Sequence, residues 1–143
     1  MKKNIAFIIT VLFIFSAACK KKDKTTCNAD LAGISGTYKF GTIIYKATAS
    51  SPGVDGSSYL GFESCDLDNT ITFKTDKSYI LTDAGVKCNP ADDDTGTWDV
   101  SSTSLTLDGG PNTIETFDCG KLVFSFSDAV TTGDKITITL NRQ

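Results

Sequence analysis

Residues 96–107 read Gly96-Thr97-Trp98-Asp99-Val100-Ser101-Ser102-Thr103-Ser104-Leu105-Thr106-Leu107. Trp98 and Val100 alternate with Thr97, Asp99 and Ser101, and Leu105 and Leu107 alternate with Ser104 and Thr106. Successive side chains of a strand point to opposite faces, so each run has one apolar and one polar face. Small polar residues 101–103 between the runs are a turn signal. The stretch therefore predicts an antiparallel hairpin with one face buried.

The same period returns on both sides. Upstream it runs through Tyr38, Phe40, Ile43 and Tyr45, then Ile71 and Phe73, then Tyr79 and Leu81. Downstream it marks Ile114 to Phe117, then Leu122, Phe124 and Phe126, then Ile136, Ile138 and Leu140. Turn residues separate the runs at 75–77, 89–94, 108–111, 119–120 and 132–134. Short loops join sequence neighbours as antiparallel hairpins. Thr and Ser on the outward positions suit a solvated sheet face. Together these runs predict an all-β fold of eight antiparallel strands, an up-and-down barrel that closes to remove both sheet edges. A two-sheet sandwich has the same pattern and is the alternative. Ala47 to Ser64 is too rich in Gly and Ser for a strand. It reads as a long loop, either a lid or partner contact or an inert excursion, with Tyr59 and Phe62 able to dock on the domain.

The start of the chain has a different character. Lys2 and Lys3 precede an apolar run from Ile5 to Ala18, then Cys19. These are the parts of a secretory signal peptide. A 14-residue run spans only about 21 Å as a helix, short of the roughly 30 Å hydrocarbon core. Ser16-Ala17-Ala18-Cys19 resembles the bacterial lipobox, which implies cleavage after residue 18 and acylation of Cys19. The expected organisation is a lipoprotein signal peptide at 1–18, a lipid-anchored tether at 19–34 and a barrel domain at 35–143. Stable anchoring takes more than one acyl chain, and the resemblance implies a multiply acylated cysteine. Lys20, Lys21, Lys22 and Lys24 follow it directly and read as a solvated tether beside the headgroups.

Cleavage leaves 125 residues with 12 basic and 17 acidic side chains, a net charge of −5. Nucleic acid is not an expected partner, because phosphate binding requires a positive face. Four cysteines remain, an even number in an exported chain, which reads as two disulfides. Of the three connectivities, Cys65–Cys88 is favoured because the two flank the Ile71–Leu81 hairpin, leaving Cys27–Cys119. Metal is not expected: no Cys-x-x-Cys spacing occurs and the chain has no His.

Without His, Ser-His-Asp and Cys-His catalysis have no base. Carboxylates are available at Asp92-Asp93-Asp94 with Asp99, and at Glu63 with Asp66 and Asp68. Consecutive aspartates beside a proline read as a solvated loop, and the spacing of a calcium loop is missing. Neither an enzyme nor a cofactor is expected.

Specific residues resemble a family. Gly36-Thr37-Tyr38 is similar to the Gly-x-Trp that opens lipocalin-like domains, with Tyr38 in the place of Trp. Cys65 before Asn69-Thr70-Ile71-Thr72-Phe73, Asp76 and Ser78-Tyr79 after it, then Cys88 and Gly96-Thr97-Trp98, follow the order of small lipocalin-like lipoprotein domains of Bacteroidota. The likeness spans about residues 34–142. It implies a lipocalin-like barrel on a lipid anchor and leaves the ligand unnamed.

Two functions follow as expectations. In the first, a monomeric carrier in the bacterial cell envelope, held at the outer membrane by its lipid, binds a small hydrophobic ligand. Tyr38, Phe40, Phe73, Tyr79, Trp98, Phe124 and Phe126 are the candidate lining residues. In the second, the loops contact an envelope protein or a glycan. A barrel of eight strands is just wide enough to be filled by side chains or to hold one small ligand. Those seven aromatics therefore read as core or as pocket.

Overall fold

The computed structural model describes residues 27–143. Residues 1–18, Cys19 and the lysines that follow it lie outside the described residues.

Among the described residues, nine strands form one antiparallel sheet: β1 (Gly36–Lys46), β2 (Val54–Asp55), β3 (Thr70–Phe73), β4 (Ser78–Thr82), β5 (Asp94–Ser101), β6 (Ser104–Leu107), β7 (Gly110–Phe117), β8 (Lys121–Ser127) and β9 (Lys135–Arg142). β1 and then β3 to β9 pair in chain order, and β9 pairs back onto β1 from Tyr38↔Arg142 to Lys46↔Lys135. That pairing closes an eight-stranded up-and-down barrel and excludes the sandwich. β2 is a two-residue addition from the Ala47–Ser64 loop, paired to Ile44 and Tyr45 of β1. β1 can serve β9, β3 and β2 because it is long and bends at a bulge between Phe40 and Ile43.

The inward face is the one the alternation marks. Tyr38, Phe73, Trp98, Leu105, Leu122 and Leu140 are all no more than 2% exposed and pack as one core. One end of this core is capped by α1 (Leu31–Ile34), whose Asp30 accepts from the Gly33 N–H at 2.7 Å. Ile34 is fully buried, and Ala29 and Leu31 pack on the same cluster. The polar stretch read as a tether to residue 34 therefore ends earlier, and residues 29–34 belong to the domain. A four-residue helix is too short to show a helical period, which is why the sequence reads as irregular there.

Both expected disulfides are present, Cys65–Cys88 and Cys27–Cys119, each with Cα atoms 5.4 Å apart. The first joins the segments flanking the β3–β4 hairpin. The second ties the start of the described chain to the β7–β8 turn at the capped end. The hairpin turn itself has Lys77 at φ 68°, the left-handed conformation that glycine adopts most readily. Asp76 accepts from the Ser78 N–H and hydroxyl, and the Lys77 ammonium reaches Asp99 at 2.8 Å.

One turn differs from its reading. Residues 108–111 carry turn chemistry, yet Gly110 and Pro111 begin β7, with Pro111 opposite Thr106 of β6. Proline lacks an N–H and is tolerated where a neighbouring strand does not require one. β8 first pairs with β7 at Thr113↔Ser125, beyond Pro111, so that side of the residue is unpaired.

Candidate functional site

The two ends of the barrel are built differently. At the capped end, the Tyr38 hydroxyl donates to the Ile34 carbonyl at 2.8 Å and the Arg142 guanidinium lies over the Tyr38 ring, 5.4 Å from its centre. Burial pushes the Tyr38 hydroxyl pKa up, partly offset by the Arg142 charge. Arg142 also donates to the carbonyls of Gly33, Cys119 and Ser35, so one side chain joins α1, its C-cap and the β7–β8 turn. Gly36 makes room for it: its φ is +146°, and a Cβ there would lie 2.7 Å from the guanidinium. The glycine of Gly36-Thr37-Tyr38 thus follows from a φ that other residues rarely adopt, with the Arg142 guanidinium packed against it.

Trp98 completes this filled half. Its Nε1–H donates to the Lys74 carbonyl at 2.9 Å, and its ring centre is 5.0 Å from that of Phe73. Tyr79 is bound elsewhere. Its ring lies across Gly96, where a Cβ would come within 2.5 Å, and its hydroxyl donates to Asp108. Burial, that hydrogen bond and the charges of Asp108 and Asp94 push the Tyr79 hydroxyl up to about 12.

Toward the opposite end the barrel holds a cavity of about 470 Å³. Phe73 forms part of its wall, next to the filled half, with Phe40, Ile71, Phe124 and Ile138. Phe62, from the Ala47–Ser64 loop, lies edge-on to Phe40 with ring centres 5.2 Å apart and adds a further wall. Of the seven aromatics singled out from the sequence, Phe40, Phe73, Phe124 and Phe126 line the cavity; Tyr38, Tyr79 and Trp98 do not. Alternation places a side chain inside the barrel without saying how far along the axis it sits. Leu107, Ile138 and Leu140 also line the cavity, and only their alternation marks them in the sequence.

The mouth is organised by two loops. Tyr59 stacks on Tyr45 with ring centres 4.0 Å apart, so the Ala47–Ser64 loop docks on the end of β1 as its aromatics suggest. Asp134, 1% exposed, accepts from the N–H groups of Ala129, Val130 and Thr131 and from the Tyr45 side chain. Burial pushes its carboxyl up, but these donors outweigh it and hold the pKa below the ordinary carboxylate value. Tyr45 thus connects the two loops.

The acidic residues gather away from the cavity, around the Cys65–Cys88 bridge. Asp92 is pushed up by burial and by the charges of Asp66, Asp83 and Asp94. Cys65, Asp66 and Cys88 lie within ligating distance of one another, but both sulfurs are in the disulfide and offer no thiolate to a metal.

This capped, half-hollow barrel agrees with the comparison to known families. The lipocalin-like domain matches residues 34–142. The chain belongs to the lipocalin-like domain family. No curated protein matches it. The start of the lipocalin-like domain at residue 34 coincides with Ile34, the residue on which the Tyr38 hydroxyl closes the barrel. The lipocalin-like barrel is a small-ligand-binding fold, and its cavity is the chemical resource this chain offers.

Proposed function

We propose that this lipocalin-like protein is a non-enzymatic, lipid-anchored carrier of a small hydrophobic molecule in the bacterial cell envelope, at the outer membrane, of the kind found in Bacteroidota. The cavity carries this reading. Its volume of about 470 Å³ falls in the range of small-molecule sites, roughly 300–1,000 Å³. Its wall is aromatic and aliphatic, a surface that gains free energy when an apolar ligand displaces water. Anchoring rests on the sequence around Cys19.

Native mass spectrometry of the full chain soaked with 1-decanol tests the carrier. Wild type is expected to retain one molecule per chain. Leu107→Trp, which projects a larger side chain into the cavity, is expected to retain none while keeping its circular dichroism. Wild type without retained alcohol would overturn the carrier reading.

The anchor has a separate test. Cys19→Ala should move the protein from the detergent phase to the aqueous phase, or leave it unprocessed. Unchanged detergent partitioning of a processed Cys19→Ala chain would refute lipidation.

A second reading, contact with an envelope protein or glycan, is favoured by one observation. Val54, Tyr59 and Val130 remain 46–49% exposed on the two loops at the mouth.

A further inference from the structure

We propose that the cavity selects uncharged ligands, so that its occupant is a neutral amphiphile such as an alcohol or ester and not a fatty acid or other anion. This inference rests on the carrier reading above.

The first argument is the wall. None of the described residues lining the cavity is charged. The polar side chains among them are Asn112 and Ser127, both at the mouth. The Asn112 amide N–H groups already donate to the carbonyls of Leu105 and Gly110 at 3.1 and 3.0 Å. A carboxylate moved out of water needs an opposite charge or several donors to replace its hydration. The wall supplies no cation, and the donors of Asn112 are taken.

The second argument is the way out. β7 and β8 are unpaired along Gly110–Asn112 and Phe126–Ser127, because their ladder begins only at Thr113↔Ser125. These five residues all line the cavity, so its mouth includes a split in the barrel wall. The charged residue next to this split in sequence is acidic: Asp128 follows Ser127 directly. The cation nearest in the ladder is Lys135, opposite Ser127, and it is paired with Glu115 at 2.6 Å. An anionic head is therefore disfavoured inside the cavity and at its mouth, whereas a hydroxyl or ester has a much smaller desolvation cost inside and stays hydrated at the mouth.

The test compares 1-decanol with decanoate at pH 8, where the acid is ionised. The full chain in phosphatidylcholine nanodiscs is dialysed to equilibrium against each radiolabelled ligand. Binding to the same nanodiscs carrying Leu107→Trp is subtracted, which removes partition into lipid. Decanol is expected to bind at least tenfold more tightly than decanoate, about 1.4 kcal/mol. Ser127→Lys, which places a cation at the mouth, is expected to narrow that gap at least threefold by improving decanoate. Decanoate binding as tightly as decanol to wild type would overturn the inference and leave the carrier reading standing. Neither ligand binding wild type above Leu107→Trp would overturn both.

Discussion

Serine at both Cys27 and Cys119 is expected to lower the free energy of unfolding by about 4–5 kcal/mol, against about 3–4 kcal/mol for serine at both Cys65 and Cys88. The bridges close segments of 92 and 23 residues respectively. A cross-link removes more freedom from the unfolded chain when its loop is longer, though only logarithmically. The native state adds to the same ordering. Cys27–Cys119 holds the chain just before α1, and α1 supplies Ile34, the acceptor for Tyr38 and one wall of the core. Without the bridge, residues 27–34 can leave the barrel end at a smaller cost in free energy. Urea unfolding of the oxidised variants, followed by circular dichroism, measures both differences. Equal midpoints for the two double variants would show that the longer bridge does not constrain the unfolded chain as proposed.

The second large effect is expected at Trp98. Trp98→Ala should cost about 3–5 kcal/mol, because it empties the centre of the filled half and removes one of the two donors to the Lys74 carbonyl, which keeps the Lys77 N–H. Trp98→Phe keeps most of the ring volume and loses chiefly that hydrogen bond, so it should cost about 1–3 kcal/mol. The gap between the two reports packing. Phe73 stands between Trp98 and the cavity, touching one and lining the other. A truncated Trp98 lets Phe73 sink, so ligand retention should fall along with stability. Denaturant midpoints for the two variants test the ordering; an alanine no worse than phenylalanine would mean that Trp98 does not support the core.

The proposed carrier function depends on this division of the barrel. A barrel filled along its whole length would be more stable and would hold nothing. Here Tyr38, Trp98 and Arg142 close one end with hydrogen bonds and a cation–ring contact, which frees the other end from carrying the core. At the open end of the barrel, the two loops are tied together through Tyr45, Tyr59 and Asp134.

Much of this is legible in the sequence. Strand positions follow from a period of two, because a half-buried strand must present apolar residues on one face only. Cys65–Cys88 follows from the hairpin between them, a local feature. The Gly36-Thr37-Tyr38 opening is one of the pieces that together carry the family resemblance, and its glycine sits at a φ of +146° against Arg142, a residue 106 positions away. Closure of β9 on β1, the helix that covers the barrel end and the unpaired start of β7 at Pro111 depend on contacts between distant segments. No local pattern encodes those contacts. The same limit applied to the seven aromatics. The sequence determined that each faces inward, because alternation is a property of a single strand. Only the tertiary structure decided which of them fill the barrel and which surround a space, because depth along the axis is set by register, and register is a relation between strands.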